Sequence, residues 1–174
     1  MSHARISRVE CGRLSDLAVG QLARHGAALG LRLSARFYPT GGGLRDAAQL
    51  ELLRRIRARI GDRWLWQLEA PLTIPGDLRA FDALLTSRRD RTTVAVEAIT
   101  RLRDAQAQLR AATRKQRDGQ ATRLVILLSA THANRAALAT ARDVLTTAFP
   151  LGTRATLTAL AAGDDPGANG IVLL

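Results

Sequence analysis

Lysine occurs once in this chain, at Lys115, against 25 arginines. Cysteine also occurs once, at Cys11, so no internal disulfide can form, and the histidines His3, His25 and His132 are too scattered for a metal-ligand cluster. Aromatic residues make up only 3% of the sequence, which argues against a surface that stacks a run of single-stranded bases on rings. No apolar run approaches the roughly 20 residues needed to span a bilayer, and the N-terminus lacks the apolar core of a signal peptide. A structural zinc site, a disulfide scaffold and a membrane protein are thereby disfavoured, and a cytoplasmic location is expected.

What the chain does have is length, apolar content and positive charge. Its 174 residues, 47% hydrophobic, suffice for one well-buried domain and a small appendage. The formal net charge of +11 makes a polyanion the default partner, and DNA the expected one, through an attraction that weakens with salt. The loop signal Pro39-Thr40-Gly41-Gly42-Gly43 divides the chain into a leading part, residues 1–38, and a longer α/β region, residues 44–174.

In the leading part, Ser2 to Glu10 reads as a short helix with Ser2 as N-cap and Gly12 as stop. A second helix from about Leu17 to Leu29, ending at Gly30, offers Leu17, Leu22, Ala23 and Leu29 as packing positions. The pattern Ser-His-Ala-x-Ile-Ser-Arg-Val-Glu-x-Gly, with Leu22-Ala23 and Ala28-Leu29-Gly30 after it, resembles the recognition helix and following helix of the lambda-repressor/Cro-like (XRE) helix-turn-helix family. That resemblance covers about residues 2–33 and implies that His3, Ala4, Ser7 and Arg8 face the major groove, with Arg5 on a phosphate. The helices that precede the recognition helix in that family have no counterpart, which leaves the head incomplete as written. In the alternative, Ile6, Val9 and the second helix simply cover the main domain.

The longer region opens with an alternating strand, Leu31 to Tyr38, and a helix from about Leu44 to Ile60 with an apolar side at Ala48, Leu52, Ile56 and Ile60. Arg54, Arg55, Arg57 and Arg59 flank it, as a phosphate-contacting or merely solvated face. Strands are expected at Trp64–Leu68, Arg79–Leu85 and Thr92–Ile99, then a helix at Leu102–Arg117 and a strand at Arg123–Leu128. A helix at Asn134–Ala148, a short one near Thr153–Ala161 and a terminal strand Gly170–Leu174 complete the region. A hairpin turn centred between Arg89 and Asp90 pairs residues whose numbers sum to 179, so Asp82 faces Glu97. Two opposed carboxylates inside apolar strands repel one another, and a divalent cation would relieve that cost. Alternatively, a one-residue slip leaves an arginine to neutralise each acid separately.

The order helix, three strands, helix, strand, together with Asp82 and Glu97, resembles the PD-(D/E)XK, restriction-endonuclease-like superfamily over about residues 44–130. The resemblance implies an α/β fold with an αβββαβ core, here carrying an N-terminal two-helix extension. It also implies Mg2+ or Mn2+ held by Asp82 and Glu97 if the protein is catalytic, and a lysine two residues after the second acid. Ile99 occupies that place. Members of the superfamily can move the lysine to the next helix, where Lys115 and Gln116 stand, and some members have lost catalysis. Helical periodicity puts Gln116 near the middle of the sheet-facing side and Lys115 about 90° away at its margin. The rise of the helix carries Lys115 about 20 Å from the helix start. By that reasoning Lys115 falls short of the carboxylates, Arg101 and Gln106 lie nearer, and Lys115 acts as a helix-end cation or phosphate contact.

These readings favour a DNA-binding protein of the transcriptional-regulator type whose nuclease-like domain need not cut. The leading alternative is a metal-dependent endonuclease using Asp82 and Glu97 with Lys115 or Gln116. A non-catalytic scaffold or oligomerisation module is the third reading. A homodimer is compatible with all three.

Overall fold

The computed structural model describes residues 18–33 and 43–174. The chain forms two compact units, 1–40 and 41–174. The expected helix at Ser2–Glu10, the DNA-reading residues His3, Ala4, Arg5, Ser7 and Arg8, and residues 34–38 of the expected strand lie outside the described residues. Of that strand, residues 31–33 are described, and they are irregular. Within the first unit, helix α1 (Val19–Ala28) ends where Gly30 turns to φ +71° and Leu31 N–H donates to Gly26 O at 2.8 Å. Glycine stops this helix because it enters the left-handed region without a Cβ penalty. α1 buries none of its residues, and the expected packing positions Leu22 and Leu29 are exposed.

The second unit is mixed α/β. Helix α2 (Gly43–Ile60) precedes strands β1 (Trp64–Pro71), β2 (Ala80–Ser87) and β3 (Thr93–Ile99). Helix α3 (Ala105–Asp118) and strand β4 (Arg123–Leu128) follow, then α4 (His132–Thr140), α5 (Arg142–Ala148), α6 (Thr153–Ala162) and β5 (Gly170–Leu173). The sheet order is β1-β2-β3-β4-β5, antiparallel between β1 and β2 and between β2 and β3, and parallel from β3 through β4 to β5. β4, an apolar run buried on both faces, is what a central parallel strand requires. Pro71 extends β1 beyond the expected end at Leu68, which an edge strand tolerates because its outer amides pair with nothing in the sheet.

Two cores separate across the sheet. On one side Leu52, Ile56 and Ile60 of α2 and Leu160 of α6 cover Ala83, Leu85, Val94, Val96, Val125 and Leu127. Trp64 belongs to this side, and its indole N–H donates to Leu160 O at 2.8 Å. On the other side Leu109 and Ala112 of α3 and Leu145 of α5 cover Ala95, Leu124, Ile126 and Leu128. The single helix expected at 134–148 is broken at Ala141, beside Thr140, whose hydroxyl bonds back to Ala136 O at 3.1 Å. Such back-bonding competes with the helical ladder.

Asn134, fully buried, fixes the crossover from β3 to α3. Its Oδ1 accepts from Leu102 N–H at 2.9 Å, and its Nδ2 donates to Thr100 O at 3.0 Å and Ser129 O at 2.8 Å. Asn134→Ala would strand those three main-chain groups at a cost of about 2–4 kcal/mol. A urea-denaturation midpoint equal to that of the wild type would show that they contribute no net stability.

Candidate functional site

The β2–β3 hairpin pairs Thr86 with Thr93, Leu85 with Val94, Leu84 with Ala95 and Ala83 with Val96, the register that a turn between Arg89 and Asp90 dictates. Asp82 and Glu97 occupy the next position, where the regular ladder has already ended. The β1–β2 ladder lapses at the same level, because it passes from Leu68↔Ala83 to Ala70↔Phe81 around Glu69, whose φ is +46°. Across that irregularity both strands change faces: Ala70 and Phe81 join the α3-side core, although Trp64 and Ala83, of the same parity, belong to the α2 side. A local break of this kind re-aims side chains at the place where it occurs.

The Asp82 carboxylate uses the break. Its Oδ2 accepts from Ala98 N–H at 2.7 Å. Glu97, alternating with Val96 and Ala98 of the α2-side core, sits with Ala95 and Ile99 toward α3. There it meets Lys115. The ammonium lies 2.6 Å from Glu97 Oε1 and 2.7 Å from Oε2, and its hydrogen bonds go to Oε2 and, at 2.7 Å, to Ala80 O. Oε1 is within ion-pair distance but off the hydrogen-bonding direction, so it remains buried without a hydrogen bond. The Lys115 ammonium also stands 5.8 Å from the centre of the Phe81 ring.

The sole lysine therefore reaches Glu97, contrary to the expectation from axial rise. That expectation takes α3 as leading away from Glu97. Parallel pairing of β3 with β4, which sets Val94 beside Arg123, requires the intervening helix to travel back across the sheet face instead. α3 carries Lys115 with it, and the lysine's four-carbon stem spans the remaining gap. Gln116 has a different partner: its amide and that of Asn169 exchange hydrogen bonds at 3.1 and 3.0 Å, and Asn169 Oδ1 also accepts from Leu124 N–H. Arg101 is exposed, and Gln106 lines a separate cavity between α3 and α5. The basic flank of α2 belongs to the opposite face of the sheet, where Arg54 pairs with Glu51 and Arg57 stacks at 5.7 Å from Trp66.

Electrostatics at Glu97 are unfavourable to its charge. Burial first, and the neighbouring charge of Asp82 second, raise its carboxyl pKa from 4.5 to about 7, although Lys115 opposes both. Folded Glu97 thus holds a proton that the unfolded chain releases near pH 4.5, so stability falls as pH rises between about 4.5 and 7. In metal-free protein, Glu97→Gln is expected to flatten that slope. The unfolding free energy measured from pH 4.5 to 8 checks this, and identical slopes in both proteins would contradict it.

A cavity of about 380 Å³ opens at Glu97 and Lys115, bordered also by Arg79, Gln108 and Arg114. Arg79, Gln108 and Arg114 were not expected here from the sequence. The one signal that could have found them is the Arg114-Lys115 pair, once the helix is taken back over the strands. Among the described residues, no group of three or more His, Cys, Asp or Glu side chains is gathered to hold a metal. Asp82 and Glu97 offer two carboxylates, a set suited to Mg2+ when water and substrate phosphate complete its shell. Glu97 Oε1, buried and accepting no hydrogen bond although the Lys115 ammonium lies 2.6 Å away, fits that role. Among the described residues, no helix is long and apolar enough to cross a membrane. The chain matches no family model, no curated protein and no solved structure.

Proposed function

We propose that the chain is a divalent-metal-dependent DNA endonuclease of the restriction-endonuclease-like kind. The observation that carries this reading is the contact of the only lysine with Glu97, beside Asp82. The order α2-β1-β2-β3-α3-β4 follows αβββαβ, and a lysine supplied from α3 accounts for Ile99 where the motif's own lysine would stand. Asp82 and Glu97 would hold the cation. Bound there, it would polarise a phosphoryl oxygen and lower the pKa of a bound water.

The chain's own groups do the rest. The Ala98 amide fixes the Asp82 carboxylate, so that acid needs no reorganisation when substrate arrives. Ala80 O and the Phe81 ring hold the Lys115 ammonium where it can neutralise charge growing on phosphate. Glu97 must ionise to bind a cation, which couples binding to proton release. Mn2+ is therefore expected to raise the melting temperature more at pH 8 than at pH 6. Equal shifts at the two pH values would separate metal binding from Glu97.

The net charge of +11 and the exposed arginines also support the second reading, DNA binding in regulation without cleavage. Nicking of supercoiled DNA in Mg2+ or Mn2+, abolished by chelator, is the outcome expected of the nuclease. Binding that weakens steeply with salt, with no nicking in either metal, would leave only the regulatory reading.

A further inference from the structure

A second cavity of about 340 Å³ lies between α3 and α5. Its floor is apolar, made by Leu109, Leu145 and Phe149, and its rim is basic, made by Arg110, Arg114 and Arg117. Arg114 borders both this trough and the cavity at Glu97 and Lys115. Arg117 pairs with Asp118, whereas Arg110 and Arg114 form no ion pair among the described residues.

An occupant of the trough must satisfy two chemistries at once, an apolar body and an adjoining anion, and Arg114 sets it beside the cavity at Glu97 and Lys115. A nucleotide meets these requirements. Its base can fill the apolar floor, and its phosphate can neutralise the uncompensated arginines. A base within duplex is stacked and paired, so delivering it would cost the energy of flipping, whereas an unpaired base arrives with that cost largely removed. The low aromatic content is no obstacle, because one enclosed base needs a pocket and not a stacking platform. Resting on the nuclease reading, we propose that the trough receives one unpaired nucleobase of a DNA strand whose neighbouring phosphate is held at Arg114, so that the substrate is DNA carrying a single-stranded nucleotide.

Fluorescence anisotropy with the full chain and three labelled DNAs tests the assignment: a duplex, the same duplex with a short single-stranded tail, and the same tail made abasic. The normal tail is expected to bind about tenfold more tightly than the abasic tail, the scale of burying one base against apolar and aromatic side chains. Ala148→Trp and Thr113→Trp, which fill the trough from exposed positions, are expected to erase that difference. Arg114→Ala is expected to weaken both tails. Equal affinity of the two tails in the wild type would overturn the proposal, as would a preference that survives folded Ala148→Trp and Thr113→Trp proteins. Base preference without nicking would retain the trough and discard the nuclease. Nicking without base preference would do the reverse.

Discussion

Lys115→Ala is expected to lower metal-dependent DNA cleavage by about 10²–10³-fold, the scale of removing one preorganised donor to a developing oxyanion. The loss should fall on the rate at saturating DNA rather than on affinity, because one cation among 26 basic side chains supplies little of the binding. Lys115→Arg is not expected to restore the rate. The ammonium is seated between Ala80 O, Glu97 and the Phe81 ring with 18% of its side chain exposed, a place for a compact charge and not for a planar fork. Single-turnover cleavage and DNA affinity, measured on proteins with equal melting temperatures, separate the two effects. A rate within a few-fold of the wild type would return Lys115 to the role of a helix-end cation.

Glu97→Gln is expected to act in opposite directions on function and stability. Cleavage should be lost along with the charge that holds the cation, a drop of at least about 10³-fold. Stability above pH 7 should rise by about 1–3 kcal/mol, because a neutral amide avoids the penalty that raises the carboxyl pKa from 4.5 to about 7. A residue that weakens the fold where it stands, and whose removal also removes activity, is retained for chemistry. Destabilisation by Glu97→Gln at pH 8 would instead make the pair with Lys115 a structural bridge.

The hairpin register from Thr86↔Thr93 to Ala83↔Val96 was legible because its turn chemistry and alternation are local, and one turn centre fixes the pairs of the regular ladder. The path of α3 was not. Whether Lys115 approaches Glu97 depends on β4 pairing parallel to β3, a contact made after the helix ends, and rise along an axis carries no information about where the axis points. Gln116 looked better by periodicity alone, but its partner Asn169 stands 53 residues away, beyond the reach of any helical wheel. The lapse of the β1–β2 ladder beside Asp82 was hidden for another reason: it coincides with a positive φ at Glu69, and glutamate does not announce that conformation as glycine would.

The central claim is that Asp82, Glu97 and Lys115 form one metal-dependent phosphodiesterase site. The most direct test is nicking of supercoiled DNA in Mn2+ at pH 8, with the wild type, Asp82→Ala, Glu97→Gln and Lys115→Ala compared as folded proteins in one assay. The expected result is nicking by the wild type that chelator abolishes and that all three substitutions reduce by about 10²-fold or more. Undiminished nicking in the three variants, or none by the wild type, would contradict it.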